Sequence, residues 1–276
     1  MFPILAKFNF GFGVIEIKAY SFFLFLALLI SVMGVLWYGK KSFNFSLGKN
    51  LIAVFVMVAF GIIGARGLNI FLNWGYYQKN PAMISSLDSR GFSLFGGILL
   101  GGLAGMILVR IYKLNLWRFS DMYTPFLGLG IVFLRVGCYL NGCCFGKETA
   151  LPWGVVFPNF SQAHLYQLGQ NSTSLFVVHA VHPTQLYELC GVFFGTILAF
   201  WLNQKKVRPG ITTLSFLIVL CVVRLINLNF RVMPASFDAP VYFYPIFYGL
   251  LICACIYYLC RLLGFASSKE DVNYEK

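Results

Sequence analysis

ITTLSFLIVLCVVRLINLNF, residues Ile211–Phe230, runs twenty residues with a single charge, Arg224. At about 1.5 Å per residue a helix of that length reaches roughly 30 Å, the thickness of a bilayer's hydrocarbon core. Comparable apolar runs lie at about 20–38, 51–75, 92–112, 119–140, 184–202 and 241–263, so the chain predicts seven spans. The breaks between them are short and polar: KKSFNFSLGKN, YQKNPAMISSLDSR, YKLNLWRF, NQKKVRPG and RVMPASFDAP. One exception, 141–183, is too long and polar for lipid and is the candidate extramembrane head.

Composition agrees. Of 276 residues, 59% are hydrophobic and only 11% charged, and mean hydropathy is +0.77. A soluble domain has about 25% charged residues, so a water-soluble globule, a disordered chain and a nucleic-acid binder are all excluded. The reading is an all-α integral membrane protein of about seven transmembrane helices with a small external head. It forms a single polytopic membrane domain over 1–276, with 141–183 as the head. The N-terminal stretch lacks the basic start, compact apolar core and small-residue cleavage site of a removed signal, so it is read as mature chain. Cys190, Cys221, Cys253, Cys255 and Cys260 sit inside apolar runs, so disulfides are not expected to hold the fold together.

Cationic loops resist translocation, and this sets the expected orientation. With the N-terminus outside, the inner loops and tail carry Lys40, Lys41, Lys49, Arg110, Lys113, Arg118, Lys205, Lys206, Arg208, Arg261, Lys269 and Lys276. The outer segments carry only Lys7, Lys18, Lys79, Arg90, Lys147 and Arg231. N-terminus and head are therefore expected outside and the C-terminus in the cytoplasm, and much of the +12 net charge is a topology signal.

Arg66, Arg135 and Arg224 remain inside spans. A guanidinium at the bilayer centre costs about 2.5–3.5 kcal/mol even on the lenient insertion scale, so each must face protein, water or an anion. Arg224 stands roughly 20 Å up from Ile211 in a core about 30 Å thick, and all three arginines are expected at one outer depth. Tyr20, Asn141, His182, Gln185, Tyr187 and Glu188 fall at the same level. Three cations facing one well-embedded carboxylate, Glu188, predict a cavity that attracts an anion, and in a membrane that anion is a phospholipid headgroup.

RVGCYLNGCCFG (Arg135 to Gly146) carries the most information. Its glycines Gly137, Gly142 and Gly146 would let backbone approach a ligand, while Arg135 forks onto a phosphate and Asn141 donates to it. The same residues also fit a small-residue helix seam ending in a turn, with Arg135 reaching outward to the interface. Cys138, Cys143 and Cys144 do not have a usual zinc ligand spacing, and no second ligand pair complements them, so no metal is expected. In HPTQLYE (His182 to Glu188) the proline stands near a helix start. His182 could serve as a general base, although a capping and interfacial role is the commoner one for a lone His. GFSLFGGILLGGLAG (Gly91 to Gly105) has no preceding strand and reads as a glycine face for close helix contact rather than a dinucleotide loop. NST at Asn171 is a glycosylation sequon.

Taken together these residues resemble the bacterial prolipoprotein diacylglyceryl transferases. The resemblance runs through IKAY (Ile17–Tyr20), GIIGAR (Gly61–Arg66), the glycine-rich third span, DMYTPFLGLG (Asp121–Gly130), RVGCYLNGCCFG, LPWGVVFP (Leu151–Pro158) and HPTQLYE, in the family's order. It implies seven spans, an external head and residence in the bacterial cytoplasmic membrane. The implied reaction transfers a diacylglyceryl group from phosphatidylglycerol to the lipobox cysteine of prolipoprotein signal peptides, forming a thioether and releasing glycerol-1-phosphate, with no cofactor. Arg135 and Arg224 match the arginines that handle the headgroup; Tyr20, Asn141 and Gly146 fall on functional family positions; Arg66 matches a further family arginine, and Arg231 keeps the sixth span's second cation. Gly142 joins the binding set, and His182 or Glu188 is left to act as base. Departures from the pattern are Phe95, Leu220 and Leu228, where family members have a His or Tyr, a Tyr and a carboxylate respectively. A relative acting on another acceptor and a non-catalytic phospholipid-binding membrane protein are the alternative readings.

Overall fold

The computed structural model describes residues 4–10, 13–85, 92–159, 161–170, 178–232 and 242–264. The glycosylation sequon at Asn171, and the cations Arg90, Lys269 and Lys276 used to set orientation, lie outside these residues.

Among the described residues six helices are long and apolar enough to cross a membrane, and a seventh apolar helix is shorter, at Phe95–Ile111. In chain order the helices are α1 (Ala19–Phe43), α2 (Leu47–Leu72), α3 (Trp74–Lys79), α4 (Leu94–Ile111), α5 (Leu116–Asn141), α6 (Gln162–Gln170), α7 (Thr184–Gln204), α8 (Ile211–Phe230) and α9 (Phe243–Gly264). All seven expected spans coincide with helices. Among the described residues the strands are those of an N-terminal antiparallel hairpin, β1 (Ile4–Phe10) and β2 (Gly13–Lys18). The Lys7–Glu16 pair joins its two strands. The hairpin runs directly into α1.

The chain divides into two compact units, Met1–Met33 with Tyr123–Lys276, and Gly34–Met122. In the second unit, α2 and α4 lie backbone to backbone. A Cβ on Gly64 would stand 2.3 Å from the carbonyl oxygen of Gly96, and one on Gly96 would stand 2.1 Å from that of Gly64. The glycine face of the third span is therefore a helix contact, where missing side chains let dispersion and Cα–H contacts replace the hydrophobic effect that lipid cannot supply.

The first unit holds the arginines of α5 and α8. Small residues again set the spacing: Gly128 of α5 faces Thr196 and Phe216, and Gly191 of α7 faces Val223 of α8. Val192, Ala199 and Phe216 form a buried core joined by Ile131, Val132 and Leu220. Gly137 of α5 lies against Tyr20 and Phe23 of α1. Helix α9 leaves most of its apolar side chains uncovered, including Ile246, Leu250 and Tyr257, as a lipid-facing helix does. Among the described residues of 141–183, Phe145, Phe157, Ala163 and Val181 form a small buried core, joined by Tyr139 and Val232. Isolated bridges pair Glu148 and Val155 with Val181, and Gly146 with Arg231.

Candidate functional site

Arg135 sits on α5, Arg224 on α8 and Glu188 one turn into α7. The two guanidiniums converge on one oxygen: Arg135 Nη2 and Arg224 Nη2 each lie 2.9 Å from Glu188 Oε1. The Glu188 side chain is 2% exposed and that of Arg135 7% exposed, whereas Arg224 retains 19%. Neither cation is spent on a private acid, because one carboxylate is shared by two helices' arginines. Asn227, one turn beyond Arg224 on the same helix face, donates through Nδ2 to Glu188 Oε2 at 3.4 Å and to the Thr184 carbonyl at 3.2 Å. Arg231 closes α8 and lies within electrostatic reach of Arg224.

Three guanidiniums against one carboxylate leave excess positive charge in a largely buried place. Among the described residues Arg135 Nε and Arg231 Nε are buried donors with no partner. A buried charged donor left unpaired is costly, and a tetrahedral oxyanion presents acceptors suited to such forks. The arrangement can bind a phosphate.

The loop after α5 is wound to bring side chains back toward this cluster. Gly142 has φ +68° and Cys144 φ +60°. The second is an uncommon conformation for a residue with a Cβ and costs of order 1 kcal/mol. Side chains of α7 clamp the loop: Gln185 Nε2 donates to the Cys143 carbonyl at 2.6 Å and Thr184 Oγ1 to that of Cys144 at 2.7 Å. Arg135 Nη1 reaches Cys138 Sγ at 3.7 Å. Hydrogen bonds from Cys138 and Cys143, with Arg231 and Arg135 behind them, hold the Cys144 thiol well below the ordinary thiol range against the opposing effect of burial. Tyr20, at the start of α1, interacts electrostatically with Arg135 and with the three thiols. Asn141 ends α5 and is half-buried.

Of the three glycines expected to let backbone approach a ligand, Gly137 lies against α1, and Gly142 and Gly146 have protein atoms close to the Cβ position. A Cβ on Gly142 would meet Ser161 and Phe157 at 3.0 and 3.1 Å, and one on Gly146 would meet His182 Cβ at 2.6 Å and the His182 and Phe230 carbonyl oxygens at 2.7 Å. Gly146 thus lets two backbones close on each other. Gly146 N–H donates to the His182 carbonyl at 2.9 Å and Lys147 N–H to that of Phe230 at 2.7 Å, and this seam anchors Arg231. His182 Nδ1 lies 3.1 Å from Tyr187 Oη, which also accepts from Trp153 Nε1 at 2.9 Å. Arg66 belongs to the other unit, where its Nη2 donates to the carbonyls of Met83 and Ile84 and its guanidinium lies over the Tyr77 and Phe92 rings. Arg66 therefore has anchors of its own.

Sequence reasoning missed Trp153 and Tyr187 as partners of His182, and Asn227 as a support for Glu188. The Asn227 role was accessible from its i, i+3 spacing to Arg224. Tyr248 of α9, which interacts electrostatically with Arg224, had no local signal, because it lies in a helix of many aromatics.

Fold and site define a multi-pass membrane protein with a buried, cation-rich cluster gathered around one carboxylate. The family model described as prolipoprotein diacylglyceryl transferase matches residues 7–266, and the chain belongs to that family. Its relatives include a phosphatidylglycerol–prolipoprotein diacylglyceryl transferase of Dehalococcoides mccartyi, 31% identical over 201 residues that cover 72% of each chain. A second enzyme so named, from Clostridium perfringens, is 28% identical over 211 residues, covering 76% of this chain and 77% of its own. A third, from Brucella anthropi, is 28% identical over 231 residues, covering 78% and 75%.

Proposed function

We propose that this chain transfers a diacylglyceryl group from phosphatidylglycerol to the lipobox cysteine thiol of prolipoprotein signal peptides, forming a thioether and releasing glycerol-1-phosphate. The observation that carries the proposal is the convergence of Arg135 and Arg224, from two helices, on a single oxygen of Glu188. The reaction breaks a glycerol carbon–oxygen bond as sulfur attacks that carbon, so charge accumulates on the departing phosphate. Preset guanidiniums at that position stabilise the transition state without reorganising. Arg135 and Arg224 hold the phosphate, Arg231 adds positive field from the end of α8, and Asn141 and Tyr20 line the approach.

Glu188 holds the two guanidiniums in register; its charge is committed to them. His182 is then the better candidate for base work, since Tyr187 fixes its Nδ1 side and so orients the ring. Gly142 and Gly146 serve binding indirectly, by letting the loop fold tightly enough to aim Arg135 and Arg231. Arg66 contributes through the segment it fastens, Met83–Ile84, to binding of substrate. The protein sits in the bacterial cytoplasmic membrane with N-terminus and 141–183 outward and the C-terminus in the cytoplasm, so lipid and signal peptide meet on the outer side.

The test is incubation of the purified protein with phosphatidylglycerol and a lipobox peptide. Thioether peptide and free glycerol phosphate are expected, and both should be lost in Arg135→Ala and Arg224→Ala. Bound lipid without transfer would identify a non-catalytic phospholipid binder, and full activity in either arginine variant would remove the headgroup assignment.

A further inference from the structure

Cys138, Cys143 and Cys144 are free thiols whose sulfur atoms all lie within 4.8 Å of one another. The spacing along the chain gave no metal motif; the fold makes the trio. Cys138 is on the last turns of α5, and the left-handed conformations of Gly142 and Cys144 turn the chain back, so that two successive cysteines face the first. Gln185 and Thr184 lock the carbonyls of those two cysteines from α7. Three sulfurs on a tetrahedral zinc at about 2.3 Å stand about 3.8 Å apart, so each pair needs to close by about an ångström or less. Among the described residues no further His, Cys, Asp or Glu completes the group, so a tetrahedral ion held here keeps its fourth position open. A zinc ion with three thiolates carries a single negative charge, and Arg135 Nη1, 3.7 Å from Cys138 Sγ, is placed to offset it.

We infer that Cys138, Cys143 and Cys144 form a binding site for a borderline-soft d10 cation of the zinc class, whose open fourth position takes an incoming thiol beside the phosphate-binding arginines. The role of that thiol rests on the transferase reading; the ion site does not. The acceptor S–H coordinates the ion and gives its proton to His182, the base of the transferase reading, and the metal-bound sulfur attacks the glycerol carbon. The carbon–oxygen bond breaks with its electron pair going to the phosphate oxygen, and the neutral thioether, a weaker ligand, leaves the ion. No oxidant or reductant enters.

The experiment uses the full-length protein purified without chelator, with metal content measured per chain, and the same protein loaded with cobalt(II) as a spectroscopic probe. About one ion per chain is expected, with intense visible bands of a tetrahedral sulfur-rich site and a near-ultraviolet thiolate band. Cys138→Ser and Cys144→Ser should each weaken binding at least tenfold, while Cys260→Ser, on an uncovered face of α9, should leave it unchanged. Adding a lipobox peptide should shift the visible bands, and its Cys→Ser version should not. Absence of a bound ion, a disulfide within the trio in freshly isolated membranes, binding indifferent to the cysteine substitutions, or a spectrum untouched by the thiol peptide would each overturn the inference. Full transfer by metal-free protein would leave the transferase reading standing and remove this one. A spectrally responsive cobalt site with no transfer in any form would do the reverse.

Discussion

Glu188→Gln isolates the electrostatics of the site. The substitution keeps the side chain's shape and removes the one charge that two buried guanidiniums share at 2.9 Å each. At an effective dielectric near 20 each pair is worth about 4 kcal/mol of Coulomb attraction, offset by desolvation and by repulsion between the arginines. Removing one partner of a buried ion pair generally costs about 3–5 kcal/mol, because the cation left behind is uncompensated. Here two are left, and the new carboxamide N–H2 adds donors where acceptors are needed. In zwitterionic detergent the variant should melt roughly 6–20 °C below wild type at about 2–4 °C per kcal/mol. Phosphatidylglycerol should then stabilise the variant more than the wild type, because its phosphate meets two unneutralised guanidiniums rather than a pair already holding a carboxylate. A lipid at 100 times its Kd returns about 2.7 kcal/mol. Thermal unfolding followed by tryptophan fluorescence, with phosphatidylglycerol or phosphatidylcholine added, reads both effects. A variant melting within about 1 °C of wild type, or one stabilised equally by the two lipids, would refute the account of the site as a shared-anion chamber.

Gly146→Ala should force apart the seam joining Gly146 to His182 and Phe230, costing about 1–3 kcal/mol and most transfer activity as Arg231 shifts. Gly169→Ala, which meets nothing within 4 Å, should be neutral or stabilising by up to about 1 kcal/mol in the same unfolding assay. Tyr187→Phe deletes the hydroxyl between His182 and Trp153 and should lower kcat about 10- to 100-fold with little change in KM for lipid, measured in the transfer assay. Gly64→Ala should open the α2–α4 seam, lowering the melting temperature by at least several degrees without touching phosphatidylglycerol affinity per folded molecule.

How much of this was legible in the sequence follows from which signals are local. Span positions are, because a run such as 211–230 must be helical to satisfy its own backbone in lipid. The glycine seam of α4 was legible for the same reason: in a span, glycines at helical spacing have little other use. The pairing of Arg135 with Arg224 through Glu188 was legible only as a depth argument, since which acid two cations share depends on helix rotation. The neighbours of Gly142 and Gly146 were not legible, because an unoccupied Cβ position signals close approach without saying of what; the partners in the fold are Ser161, Phe157, His182 and Phe230. The thiol trio was illegible because Cys138 joins its neighbours through a left-handed loop, and spacing rules describe extended or helical chain. The hairpin 4–18 escaped because each strand is short and its cross-strand pair, Lys7 with Glu16, is only evident once the register is known.

The central claim is that Arg135 and Arg224 together grip a lipid phosphate, and solid-state NMR of arginine-15N-labelled protein in phosphatidylglycerol bilayers measures this directly through nitrogen–phosphorus dipolar dephasing. A guanidinium donating to a phosphate oxygen places nitrogen about 4 Å from phosphorus. Two guanidinium signals, lost respectively in Arg135→Lys and Arg224→Lys, should dephase against the same bound phosphorus. Arginine signals from these two residues that persist undephased at saturating lipid would contradict the account.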